Sequence, residues 1–197
     1  MDESKDLSTA LLLTMTTATL PPHVQSIQIP YRPYALQHAI HLDPHRIRVV
    51  CWGRRGGKSL LAMNEGFCMS HDAVQAGVTN PRGIITAPTN KMLLENWQTA
   101  CRLWKQAITD QSVSETRLTL GPLGQIDFRS TESQGGAGRG GGYHWAVIDE
   151  ASRTPQDAFE SDIRPALSDT AGRSLLISTP NGLDALFYDY YQRGLEG

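Results

Sequence analysis

Residues 52–59 read Trp52-Gly53-Arg54-Arg55-Gly56-Gly57-Lys58-Ser59. Glycines let successive backbone N–H groups turn toward one anion, and a helix starting at the end of such a turn adds its positive dipole. Lys58 then supplies a full charge for the β and γ phosphates of a nucleotide, and the Ser59 hydroxyl a ligand for Mg²⁺. The run ends as the phosphate-loop pattern G-x-x-x-x-G-K-[ST] does, with Trp52 standing where its first glycine belongs. Gly53, Arg54, Arg55, Gly56, Gly57, Lys58 and Ser59 are therefore the candidate phosphate-binding set. For the Arg54 and Arg55 side chains the plainer reading is solvation of the loop, or a salt bridge to an acid such as Glu160.

The complementary chemistry lies at Ala146-Val147-Ile148-Asp149-Glu150, an apolar strand pattern ending in two acids. Ligands of α/β folds bind at the carboxyl ends of parallel strands, which is where these carboxylates fall. Neighbouring strand residues point in opposite directions, so the two acids can hold different jobs. Asp149 is expected to bind the metal beside Ser59, and Glu150 to orient and polarise an attacking water. Cradle and acids in this order imply a site that hydrolyses ATP with Mg²⁺.

These groups need elements to hold them. Residues 47–52 read as a buried strand, the glycines as a tight turn, and 58–69 as a helix. A second strand at 84–87 precedes a helix at 90–108, with Leu93, Leu94, Trp97, Cys101 and Trp104 on one side. Gly121-Pro122-Leu123-Gly124 separates 116–120 from 125–129, which is a hairpin signal. Strands at 145–148 and 174–177 flank a proline-broken helix at 156–167, a further helix is expected at 184–192, and a short one at 34–41 after Pro33. Strands alternating with helices predict an α/β layer fold with a mainly parallel sheet and a small β-hairpin insertion. Residues 1–30, rich in Ser and Thr and carrying Pro21, Pro22 and Pro30, read as an N-terminal arm, leaving 31–197 as one domain.

The 197 residues are 40% hydrophobic and 19% charged, which suits one folded domain rather than a disordered or fibrous chain. A formal charge of −2 excludes a protein that grips nucleic acid by bulk positive charge, so any DNA contact must be local. Cys51, Cys68 and Cys101 are odd in number and far apart, supporting neither a disulfide framework nor a zinc site and suiting a reducing, intracellular compartment. No segment reaches the roughly 18 apolar residues of a membrane span, and residues 10–13 are too short for a signal peptide. The histidines, His144 included, lack ligand spacing, and Trp97 and Trp104 are expected in the core.

At this point the residues resemble the ATPase domain of the phage large terminase subunit, the motor that packages DNA into tailed-phage heads. The double-arginine loop 53–59 is similar to that family's version of the Walker A motif, and 145–151 to its Walker B strand. Leu176-Ile177-Ser178-Thr179-Pro180-Asn181-Gly182 resembles its coupling motif, and Ala87-Pro88-Thr89 before a helix with Trp97 also fits. The resemblance covers residues 31–190. It implies a RecA-like (ASCE P-loop) sheet with helices on both faces, and ATP hydrolysis coupled to translocation of double-stranded DNA.

The resemblance also implies individual roles. Gln37 sits where the family has a glutamine that reads the adenine edge, a task its donor and acceptor suit. Thr179 would sense the γ phosphate. Arg139, inside a loop with six glycines among residues 135–142, matches an arginine finger that acts on a neighbouring subunit's ATP. Arg54 and Arg55 could instead serve part of this role within the same chain, and the plainer reading of Arg139 is a flexible Gly/Arg linker or an Arg-Gly-Gly stretch touching nucleic acid. Expected partners are double-stranded DNA, identical subunits in a ring, the portal protein and the small terminase subunit, in host cytoplasm at the procapsid and with no membrane. The family protein continues into a nuclease domain; this chain ends at Gly197, so no nuclease activity is expected of it. A helicase-like remodelling ATPase and a nucleotide-gated assembly module with little turnover are the alternatives.

Overall fold

The computed structural model describes residues 29–132, 142–181 and 185–196. Its elements are α1 (Ala35–Leu42), β1 (Ile47–Cys51), α2 (Lys58–Gln75), β2 (Arg82–Ala87), α3 (Asn90–Leu103), β3 (Asp110–Ser112), β4 (Arg117–Thr119), β5 (Gln125–Ser130), β6 (Trp145–Asp149), α4 (Arg164–Ser168), β7 (Arg173–Ser178) and α5 (Ala185–Glu196). One seven-stranded sheet has the order β1-β7-β6-β2-β5-β4-β3. The first five strands are parallel, and β4 and β3 continue the sheet antiparallel.

The sheet is covered on both faces because its central strands are apolar on both. Ile84, Ala146, Ile148 and Leu176 pack under Phe159, Ile163, Leu167 and Tyr190, on the face of α4 and α5. Their neighbours Ile85, Val147, Leu175 and Ile177 point the other way, into Leu61, Met63, Phe67 and Trp97 of α2 and α3. Trp97 and Trp104 are core residues, with Trp97 edge-on to Phe128 at 5.2 Å. Gly83 is there for space: a Cβ would fall 2.0 Å from the buried Trp145 indole, whose Nε1 donates to Ser70 Oγ at 2.9 Å.

Three expectations are refined. The hairpin forms as β4 and β5, but β5 is also a full member of the parallel sheet beside β2. The helix predicted over 90–108 ends at Leu103, where Trp104 turns inward to pack on Phe67. The broken helix near Pro165 is one π-helical turn, Ala158–Ile163, running into the short α4. Residues 1–28 of the predicted arm, the segment holding Arg139 and Gly182 of the coupling motif lie outside the described residues.

Candidate active site

The phosphate loop bridges α2, whose inner face is buried, and β1, which is the half-exposed edge strand of the sheet rather than the buried strand expected over 47–52. Gly57 caps α2 in the left-handed region at φ 76°, which any Cβ would resist, and Arg55 accepts the same region at φ 61°. The other loop glycines differ from the expectation that all three supply unusual angles. Gly56 is glycine because a Cβ would lie 2.9 Å from the Trp52 indole, whereas nothing lies within 4 Å of a Cβ placed at Gly53. Lys58 is buried and its Nζ donates to Gly53 O at 3.3 Å. Ser59, Arg54 and Arg55 are exposed. Glu160, the acid considered as an arginine partner, instead binds Arg164 and the Tyr190 hydroxyl, each at 2.7 Å.

The two acids sit at the end of β6, between β2 and β7. Asp149 is buried at 3% exposure; its Oδ2 accepts from Asn96 Nδ2 at 2.9 Å and its Oδ1 from the Glu150 N–H at 3.1 Å. Burial pushes the Asp149 carboxyl above the ordinary range. The Glu150 charge pushes the same way, while the Asn96 hydrogen bond, the Glu150 N–H and the charge of Lys58 pull it back. The Lys58 charge therefore acts on Asp149, though more weakly than burial does. Glu150 takes φ 50°, turning its side chain out of the strand direction. Its Oε2 accepts from Ser178 Oγ at 3.3 Å and Thr179 Oγ1 at 3.5 Å, which brings the end of β7 onto the second acid.

Gln37 is buried on α1 with both ends of its amide engaged. Its Oε1 accepts from Tyr34 N at 3.3 Å and its Nε2 donates to Gly57 O at 3.5 Å. The family resemblance offers Gln37 as an adenine reader; the contact seen is with the loop backbone. Reading adenine would require the amide to exchange one of these partners. The donor set fits Mg²⁺, since a hydroxyl and a carboxylate are hard oxygen ligands, and Asp149 carries less positive compensation than its burial calls for.

Sequence reasoning missed Asn96, and the tight ionic cluster behind the loop. Glu65 of α2 binds Arg48 at 2.5 Å and also His41, whose other ring nitrogen meets the Tyr31 hydroxyl at 3.1 Å. These side chains fix α1, which carries Gln37, against α2 and β1. Cys68 lies close enough to complete a three-ligand set with His41 and Glu65, but Arg48 already occupies Glu65. Asn96 had a faint signal as the one amide on the buried stripe of Leu93, Trp97 and Ala100. A groove of about 540 Å³ opens between β1 and α5, lined by Ile47, Val49, Tyr190 and Tyr191. No loop residue or acid of the site lines it, so the chemistry is not placed there.

No protein-family profile matches the chain. Over 191 residues it is 28% identical to the large terminase subunit of Thermus virus P23-45, a match covering 85% of this chain and 37% of that protein. It is 27% identical over 166 residues to the large terminase subunit of Escherichia phage T5, covering 82% and 36%. Its fold matches the large terminase ATPase domain of Thermus phage P74-26 with a TM-score of 0.65 and 26% identity, over 83% of this chain and 70% of that one. The chain resembles a large terminase ATPase domain. It spans a little over a third of the length of the curated terminases it matches. The large terminase of the thermophilic bacteriophage D6E, in complex with ADP, shares the fold at a TM-score of 0.65 and 16% identity, over 82% of this chain and 42% of that terminase. Among the described residues no helix is long and apolar enough to cross a membrane.

Proposed function

We propose that the chain is the ATP-hydrolysing motor domain of a large terminase, converting ATP and water to ADP and phosphate to drive double-stranded viral DNA into a procapsid. The observation that carries this reading is Glu150, one residue beyond a buried aspartate that Lys58 reaches electrostatically, with its carboxylate held by the Ser178 and Thr179 hydroxyls. The likeness to terminase ATPase domains supports it.

The chain's groups divide the work by their chemistry. Backbone N–H groups of residues 53–58 and the Lys58 ammonium hold the triphosphate. Ser59 and Asp149 would hold Mg²⁺, which when bound neutralises charge on the phosphate oxygens. Glu150 orients the attacking water and takes up its proton. Thr179 shares a Glu150 oxygen, so loss of the γ phosphate can be felt at the end of β7. Gln37 reads the adenine edge, and Arg139 acts on the ATP of a neighbouring subunit in a ring. Portal protein and small terminase subunit complete the assembly, in host cytoplasm at the procapsid.

ATP binding and phosphate release over a protein concentration series test this. Lys58→Ala should lose binding. Glu150→Gln should bind ATP yet turn over about 10²- to 10⁴-fold more slowly. Arg139→Ala mixed with Glu150→Gln should regain activity that neither has alone, and turnover per subunit should rise with concentration. Wild-type turnover by Glu150→Gln would rule the reading out.

A further inference from the structure

Trp52 is where the loop departs from the standard pattern, and the structure shows what the indole touches. Its ring meets the Tyr34 ring edge-on, with centroids 5.6 Å apart. The Tyr34 hydroxyl reaches across the same spot and donates to Gly56 O at 2.8 Å. The indole lies so close to Gly56 that a Cβ there would fall 2.9 Å from its Cδ1 and Nε1. Tyr34, immediately before α1, and Trp52, immediately after β1, thus grip the loop from its outer side.

That grip has a defined effect on the backbone. A trans peptide is planar, with its C=O and N–H pointing in opposite directions. Holding Gly56 O outward therefore sets the Gly57 N–H the other way. Gln37 and Lys58 do the same to the next peptide and to an earlier one, through Gly57 O and Gly53 O. The standard motif reaches a tight first turn by using glycine; here a bulky residue at that place is matched by a neighbour without a side chain and by a tyrosine that pins its carbonyl.

We propose that Tyr34 and Trp52 form an aromatic brace that positions the phosphate loop for nucleotide, in place of the motif's first glycine. The role is one of positioning, and it rests on the loop being the nucleotide site proposed above. Gly56 and Trp52 are a matched pair, so the brace predicts a rescue that general packing does not. Gly56→Ala should weaken ATP affinity strongly when Trp52 is present and clearly less in the Trp52→Gly background, where the 2.9 Å indole contacts are gone and only Gly53 O, 3.3 Å from the new Cβ, stays close. Tyr34→Phe keeps the ring and removes one hydrogen bond, so affinity should fall about two- to tenfold.

The experiment uses the full chain, with ATP and Mg²⁺ as calorimetric ligands and hydrogen exchange of residues 53–57 in nucleotide-free protein as an independent readout. Faster loop exchange in Tyr34→Phe, together with the rescue of Gly56→Ala by Trp52→Gly, is the expected result. Unchanged loop exchange in Tyr34→Phe, or an equal cost of Gly56→Ala in both backgrounds, overturns the brace. Failure of the nucleotide reading looks different: the wild type then binds no ATP while the loop exchange still responds to Tyr34→Phe, and the positioning role falls with it.

Discussion

Two aspartates lie in adjoining regions of the sheet at nearly the same depth, Asp127 at 2% and Asp149 at 3% exposure, and the molecule treats them in opposite ways. Asp127 on β5 is surrounded by donors: Arg117 Nε at 2.7 Å, Arg82 Nη2 at 3.1 Å and the Tyr143 hydroxyl at 2.9 Å. Burial alone pushes its carboxyl up, but the hydrogen bonds and charges of these partners carry it below the usual range. Asp149 on β6 has one side-chain donor, a neutral amide, and a negative neighbour, so burial prevails and its carboxyl is pushed up. A carboxylate surrounded by cationic and hydroxyl donors ties the sheet together; one held by a neutral amide beside a like charge has the raised carboxyl that is common at functional sites.

The contrast can be broken most forcefully at Asp127. Asp127→Ala removes the shared acceptor of Arg82, Arg117 and the Tyr143 hydroxyl, and stability should drop by about 2–4 kcal/mol in urea titrations. The pH sign follows from its depressed carboxyl: the contribution is complete above the unfolded value of about 3.9 and vanishes as pH falls through the lower folded value. The gap between wild type and Asp127→Asn should therefore narrow below about pH 4. Asp149→Asn should behave in reverse, lowering phosphate release about 10²- to 10³-fold while the denaturation midpoint stays level or rises, since an uncompensated charge leaves the core. Asn96→Leu should fall between them, losing about 1–3 kcal/mol of stability and about tenfold in turnover, because Asp149 Oδ2 is left unpaired. Arg164→Ala sets the floor: its half-exposed i,i+4 pair with Glu160 should be worth less than about 0.5 kcal/mol by the same titration.

What could be read from the chain beforehand follows the same divide. The loop 53–59 and the acids at 149–150 are contiguous motifs whose chemistry is local, and the parallel sheet follows from short apolar strands alternating with helical patterns. Thr179 was reached through family likeness, and its contact with Glu150 spans 29 residues. Asn96 to Asp149 spans 53, and Arg82 to Asp127 spans 45; an amide or a guanidinium carries no mark of a partner so far away. Membership of β5 in the parallel sheet was hidden for a related reason, because a hairpin signal reports the near neighbour β4 and is silent about β2. Trp52 was visible as a departure from pattern, but its match with Gly56 emerges only once the indole has a direction.

Ser178 belongs to both halves of the site at once. Its carbonyl takes the Trp52 N–H at 2.9 Å where β1 enters the loop, and its hydroxyl touches Ser152 Oγ at 2.7 Å and Glu150 Oε2 at 3.3 Å. The entry to loop 53–59 and the Glu150 carboxylate are therefore both bonded to a single serine. A shift of either one strains a hydrogen bond to the same residue, so the end of β1 and the end of β6 are mechanically coupled through β7.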